Sequence, residues 1–333
     1  MDASTAAALI GLIALALLFD FINGLHDAAN SIATIVSTRV LSPRMAVAWA
    51  AFFNFIAFAV FGVHVAQTLG TGIITPGIVD FPVIFSALMG AIGWNIITWM
   101  AGIPSSSSHA LIGGLLGAGI AKAGTDAVVL KGVLLTTGAI VVSPLLGVAL
   151  ALILMLIVSW IFFRSAPLPV DRLFRRLQLV SAALYSLGHG GNDAQKTMGI
   201  IAILLFSQGL TGPEFHVPLW VVLSCHAAMA AGTLIGGWRI VRTMGLRITH
   251  LDPVQGACAE TAGALTLFLA TSLGIPVSTT HTISGAIVGV GAARRVRAVR
   301  WNIAGSLVVA WVVTMPAAAC LSAFAWGITR LFA

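Results

Sequence analysis

Two stretches decide how this chain is read: Gly102–Gly119, GIPSSSSHALIGGLLGAG, and Gly274–Gly291, GIPVSTTHTISGAIVGVG. They align without gaps, setting Pro104 on Pro276 and His109 on His281. Self-similarity of this length marks a duplicated half. The same offset sets Pro144 on Pro316 in the last apolar segment of each half. Upstream, after a shift of a few residues, INGLHDAAN at Ile22–Asn30 aligns with GHGGNDAQK at Gly188–Lys196, pairing Gly24 with Gly190 and Asp27 with Asp193.

The duplicated unit belongs in a membrane. Of 333 residues, 59% are apolar and only 8% charged, against roughly a quarter charged in a soluble domain, and the mean hydropathy is +1.04. Apolar segments fall at about 5–38, 43–65, 83–121, 131–163, 177–207, 217–241, 255–292 and 299–330. The first is too long for one straight crossing, which takes about 20 residues, so it must tilt, overhang or break, and the polar stretch Asn23–Asn30 is the expected break. With no Lys or Arg before it, this segment reads as a transmembrane helix and not as a cleaved leader. Segments 83–121 and 255–292 are each split by Gly-Ile-Pro and small hydroxyl residues, which predicts two arms of a helical hairpin joined by a polar tip. Such backbone survives at membrane depth only inside protein or beside water. The expected fold is therefore an all-α polytopic membrane protein. Its two repeats, 1–163 and 177–333, each hold a broken helix, a helix, a re-entrant hairpin and a long proline-containing helix, and a basic cytoplasmic loop at 164–176 joins them.

The 17 Lys and Arg against 10 Asp and Glu fit the positive-inside pattern. Arg39, Arg44, the arginines of 164–176, Arg239, Arg242, Arg247 and those between 294 and 300 can all face the cytoplasm at once, while 66–82 and 208–216 carry no Lys or Arg. Lys122 and Lys131 are the exceptions. This count puts both termini outside the cytoplasm and makes equivalent segments cross in opposite directions, an inverted repeat of the kind secondary transporters use for alternating access. No basic face interleaved with aromatics points to nucleic acid. Cys225, Cys258 and Cys320 lack the spacing of a disulfide framework or a zinc site. No cofactor or resident metal is implied, and the partners expected are the lipid bilayer and small ions.

Ionisable groups inside a membrane span need a partner or a purpose. Asp20, His26 and Asp27 stand in the first, broken helix, His189, Asp193 and Lys196 in its repeat, and Glu260 in an arm of the second hairpin. Asp193 and Lys196, three apart on a helix, can form a structural ion pair, but two matching acidic positions flanked by Asn and Gly look more like a lined site. The hairpin tips Ser105–Ser108 and Ser278–Thr280 follow a Pro able to begin a helix. They put hydroxyls and unpaired N–H groups at a positive helix terminus, an anion site. Two facing tips can enclose one tetrahedral oxyanion. Asp27 and Asp193 then serve as cation or proton sites, or accept the O–H of a protonated phosphate, which fully ionised sulfate lacks. His109 and His281 are either proton carriers or donors that hold the tips.

GLHDAAN and GGNDAQK, with PSSSSH and PVSTTH in the hairpins, resemble the inorganic phosphate transporter (PiT) family over nearly the whole chain. The resemblance implies phosphate binding between the tips and the two polar helices, carried residue by residue onto Asn23, Asp27, Asn30, Ser106, Ser107, Ser108, Asn192, Asp193, Ser278, Thr279 and Thr280. The family motif is close to GANDVAN. Here His26 replaces its first Asn and Lys196 replaces the last Asn of the second copy, departures that look like the proton-coupled bacterial branch. A lysine ammonium supplies fixed charge where a sodium ion would sit and has no lone pair to ligate one. Coupling ions are thus expected at Asp27, Asp193, Lys196, His26 and Glu260, with Glu260 open between proton carrier and structural partner. The resulting expectation is a proton-coupled inorganic phosphate symporter of the cell membrane and no enzyme. Alternatives are sodium-coupled phosphate symport, proton-coupled sulfate symport, a passive anion channel and, remotely, an intramembrane phosphohydrolase. The resemblance leaves open whether phosphate travels as a divalent-metal complex and whether the chain forms a homodimer.

Overall fold

The computed structural model describes residues 2–331, and among them the regular structure is helical throughout. The first half contains α1 (Ala3–Ser37), α2 (Pro43–Ile56), α3 (His64–Gly72), α4 (Phe81–Ala101), α5 (Ser107–Ala123) and α6 (Leu130–Ile161). The second repeats this order with α7 (Pro167–Ser207), α8 (Leu219–Ile235), α9 (Trp238–Arg242), α10 (Pro253–Ser272), α11 (Thr279–Arg294) and α12 (Trp301–Thr329). The helices α1, α4, α6 and α12 are long and apolar enough to span a membrane, as are the bent pairs α2–α3 and α8–α9. The chain is a multi-pass membrane protein.

The expected break in the first segment does not occur. Residues 3–37 form one helix of 35 residues, about 52 Å long, and α7 runs unbroken for 41 residues. The glycines of the two polar stretches serve close crossing instead. A Cβ on Gly24 would strike the backbone of Met229 in α8, and one on Gly190 the backbone of Asn54 in α2. Small residues let membrane helices approach this closely, and an intact helix keeps its backbone bonded where no water can replace it. The bends fall in the next element of each half: 81° between α2 and α3, and 63° between α8 and α9. The basic stretch 164–176 is also only partly a loop, because α7 starts at Pro167, where Pro suits a first helical turn.

Both hairpins form as expected, and they turn alike. Gly102 (φ 66°) and Gly274 (φ 67°) adopt the left-handed conformation that closes a helix, with Ile103 N–H on Thr98 O and Ile275 N–H on Ala270 O, each at 2.9 Å. The glycines further along each repeat pack the second arm on the opposite half. Gly113 and Gly117 of α5 meet the backbone of α12 at Met315 and Ala319, and Gly285 and Gly289 of α11 meet α6 at Pro144 and Val148. The halves therefore clasp each other's hairpins. The bent arms do the same to the turns: Arg239 and Thr243 lie on Gly102, and His64 on Gly274.

Several basic residues share one cleft, while Lys122 and Arg330 lie together beside Asp80. Arg39, Arg175, Arg242 and His250 line a cleft of about 890 Å³ that reaches in to Ala33 of α1. Lys122, an exception to the charge rule, is answered by Asp80, whose carboxylate accepts its ammonium proton.

Candidate functional site

Each tip is built by a serine cap. Ser106 Oγ accepts the N–H of His109 at 3.3 Å and Ser278 Oγ that of His281 at 3.2 Å, so α5 starts at Ser107 and α11 at Thr279, three residues after each Pro and not at it. The first N–H groups of both helices have no partner within the helix, and the two positive ends converge. Thr280 Oγ1 donates to Ser105 O at 3.1 Å and Ser108 Oγ to Val277 O at 3.5 Å. The tips touch in this state, and each predicted tip residue is at most 4% exposed.

The polar faces of α1 and α7 close on the tips from either side. Asn30 Nδ2 donates to Thr279 Oγ1 (3.2 Å) and Thr280 Oγ1 (2.9 Å). Thr279 Oγ1 donates to Asp193 Oδ2 at 3.0 Å. Lys196 Nζ reaches across the middle and donates to Asp193 Oδ1, to Ser108 Oγ and, at 2.8 Å, to Val277 O. One ammonium thus joins α7 to both tips. Asn192 Nδ2 holds the base of the second tip through Thr271 Oγ1 (3.0 Å) and Ile275 O (3.3 Å). One oxygen each of Asp27 and Asp193 and one ring nitrogen of His189 lie within 4.8 Å of one another, so the repulsion of the two carboxylates has to be balanced by a nearby cation or proton. His26 Nδ1 sits 2.7 Å from Asp27 Oδ1 and its Nε2 3.0 Å from Thr98 Oγ1; Thr98 in turn accepts from Ser105 Oγ at 2.9 Å, a chain from Asp27 to the first tip.

Eleven positions were carried over by resemblance, and most meet here. Asn23 does not: it lies a turn above Asp27 on α1, and its Oδ1 has no partner. Glu260 also stands apart. It accepts from Thr34 Oγ1 (2.6 Å), Gln178 Nε2 (3.0 Å) and Ser181 Oγ (2.5 Å), tying α10 to α1 and α7 about two turns from Asp27. The rings of His109 and His281 do not hold the tips: they pack edge-on at 4.4 Å, His281 stacks on Trp311 at 3.9 Å, and their nitrogens have no partner. Unpartnered at the tips are Ser107 Oγ, Asn30 Oδ1 and Asn192 Oδ1, which leaves a hydroxyl and converging N–H groups for an anion.

Sequence reasoning overlooked several contributors. Tyr185 donates its hydroxyl to Thr279 O at 3.0 Å; as the only tyrosine, set in an apolar segment, it needed such a partner. Asn54, in the second segment, reaches His189 Nδ1 at 3.3 Å, and Ser31 reaches the same atom at 3.1 Å. A lone polar residue in an apolar run was the available signal for Asn54, and adjacency to Asn30 for Ser31.

Comparison with known proteins gives the family. A family model described as the phosphate transporter family matches residues 23–322. A Rhizobium meliloti (strain 1021) protein described as "Probable low-affinity inorganic phosphate transporter" is 72% identical over 327 residues, covering 98% of each chain. A Bacillus subtilis (strain 168) protein with the same description is 46% identical over 318 residues, covering 95% of each. A solved structure described as "The sodium-dependent phosphate transporter" superposes with a TM-score of 0.90 at 26% identity, covering 98% of this chain and all of that one. With its duplicated hairpins, converging tips and buried aspartates, this chain belongs to the phosphate transporter family, a family of carriers and not of enzymes.

Proposed function

We propose that the protein is a proton-coupled inorganic phosphate symporter of the cell membrane, working by alternating access between two inverted repeats with both termini outside the cytoplasm. The observation that carries the reading is Lys196. Its ammonium stands beside Asp193 and donates to both tips, the place and charge of a cation that need not be imported. Phosphate would replace Val277 O and Ser105 O as acceptor for Lys196, Ser108 and Thr280, adding the free hydroxyl of Ser107 and the helix N-termini. Asp27 or Asp193 would accept its P–O–H, which favours phosphate over sulfate. With Lys196 charged and both aspartates ionised the site is negative before the anion arrives, so loading requires protons to enter with it. The basic cleft at one end and the pairing of Lys122 with Asp80 at its exception support the orientation.

The test is radiolabelled phosphate uptake into proteoliposomes under an inward proton gradient, with and without sodium, with and without a divalent cation, and against excess sulfate. Accumulation above the phosphate gradient without sodium, indifferent to sulfate, is expected. Accumulation that saturates with sodium overturns the role given to Lys196, a divalent-cation requirement makes the cargo a metal complex, and displacement by sulfate changes the substrate.

A further inference from the structure

Four carboxyls are buried: Asp20, Asp27, Asp193 and Glu260. Three are held, Asp27 by His26, Asp193 by Lys196 and Thr279, and Glu260 by three donors. Asp20 is fully buried, and neither of its oxygens has a partner. Polar groups stand around it, but none closes a hydrogen bond onto it and no cation pairs with it. The groups facing it are Thr197 and Asp193 of α7, Asn23 of its own helix and Cys225 of α8; α4, also packed on α1, carries no titratable residue. Thr197 Oγ1 and Asn23 Oδ1 are themselves buried without partners.

One added proton resolves this. A protonated Asp20 donates to Asn23 Oδ1 and accepts the Thr197 hydroxyl on its other oxygen, so small side-chain rotations satisfy four stranded atoms together. The ionised form would leave an unpaired charge in an apolar interior, a costly state.

Position gives the proton a use. Asp20, Asp27 and Thr34, the residue that donates to Glu260, follow one another at seven-residue steps on α1, which puts them on one face at intervals of about 10.5 Å. The site lies at the middle step, Glu260 at the step nearer the basic cleft, and Asp20 at the far one. The corresponding position of α7 is Ser186, so the feature belongs to one half only.

We propose that Asp20 is the proton-loading carboxyl of the transport cycle, the group that takes up the coupled proton from the extracytoplasmic side before the site closes. A hydronium in external water gives up its proton, its O–H bond breaking as the one on Asp20 forms; that bond breaks in turn when the proton moves inward along α1 and an O–H forms on water at the cytoplasmic side. This inference rests on the coupling and orientation proposed above. Because the other three carboxyls are already held by an ion pair, an imidazole or a donor set, Asp20 is the buried acid whose proton comes and goes with the least rearrangement of its neighbours.

The experiment compares wild type with Asp20→Asn, which imitates the protonated carboxyl, in sodium-free proteoliposomes. Phosphate–phosphate exchange, which needs no net proton movement, should stay at the wild-type rate, while gradient-driven accumulation falls by at least roughly a hundredfold. Asp20→Glu should restore accumulation with a shifted pH profile. Wild-type accumulation by Asp20→Asn overturns the inference and leaves the coupling intact; loss of exchange as well, in folded protein, makes Asp20 part of the binding site and overturns it equally. Wild type that accumulates only with sodium overturns the coupling itself, and is distinguished because it is read without any mutation. If the amide variant does not reach the membrane, Asp20→Ser, the residue found at the corresponding place in α7, gives the same two readouts.

Discussion

The polar faces of α1 and α7 descend from one motif and have acquired different electrostatics. Asp193 on α7 is locked between the Lys196 ammonium, a threonine hydroxyl and His189, 3.3 Å away. Asp27 on α1 has His26, whose other nitrogen leads to Thr98 and the first tip. Where α7 ends its motif on Lys196, α1 ends on Asn30, which donates to the second tip without bringing charge. One side of the site therefore carries a lysine ammonium and the other an imidazole and a neutral amide. The difference teaches that a duplicated scaffold can keep matching polar surfaces while single residues break their symmetry, and on the function proposed above it is those residues that carry the coupling.

The largest effect is expected at Asp193. Asp193→Asn strands the buried Lys196 charge, a loss of about 3–5 kcal/mol, and should abolish uptake with a clear fall in melting temperature. Asp27→Asn should abolish uptake too, yet melt close to wild type, because the amide keeps an oxygen for His26 Nδ1 and strands no lysine charge. Equal melting of the two variants, measured in detergent, breaks the comparison between the helices. Removing charge and countercharge together in Asp193→Asn/Lys196→Met sharpens it: stability should return while transport stays absent.

Next come the crossings that bring the two faces together. Gly24→Leu and Gly190→Leu each push a side chain into the backbone of a neighbouring helix, at a cost of about 1–3 kcal/mol or more, and should lower thermal stability by similar amounts. Unchanged melting in either would mean that the glycine serves some purpose other than close approach.

A smaller change is expected from Lys196→Asn, which gives the second motif the ending of the first. Sodium-free accumulation should fall about tenfold, equivalent to roughly 1.4 kcal/mol, and uptake should acquire stimulation by sodium. A variant as indifferent to sodium as wild type would mean that Lys196 does not stand in for an ion. The smallest effect belongs to Ser107→Ala. Its hydroxyl has no partner within the protein, so stability should hold, and one lost hydrogen bond should raise KM for phosphate by roughly fivefold, about 1 kcal/mol. An unchanged KM removes Ser107 from the anion site.

Much of the fold was legible because a membrane restricts it. Backbone groups must bond internally, so long apolar runs become helices and polar punctuation inside them becomes a turn; Gly102 and Gly274 close their helices where the sequence punctuates them. The polar stretches of α1 and α7 were misread for a related reason. Glycine beside Asn and Asp permits either a break or a close crossing, and only the neighbouring helix distinguishes them. Of the candidate residues, those on the tips and the two aspartates needed no tertiary information, since hydroxyl runs and acids in apolar surroundings have few other uses. Glu260 shares the same chemistry but sits on α10 and meets α1 at Thr34, about two turns from Asp27, a separation no local pattern records; Asn23, one turn from Asp27 on the same helix, lies beside Asp20.

By itself, then, the sequence determined the membrane setting, the duplication, the hairpins and the residue types of an anion site with acidic neighbours, because hydropathy, repeat and turn chemistry are local properties of the chain. Tertiary structure alone decided that each half clasps the other's hairpin, that α1 and α7 stay whole while α2–α3 and α8–α9 bend, that one lysine spans both tips, and that Asp20 is the buried acid left without a partner. These depend on distances between segments far apart in the chain, 81 and 88 residues for the contacts of Lys196 with the two tips, which are set by how helices pack and not by what any one of them contains.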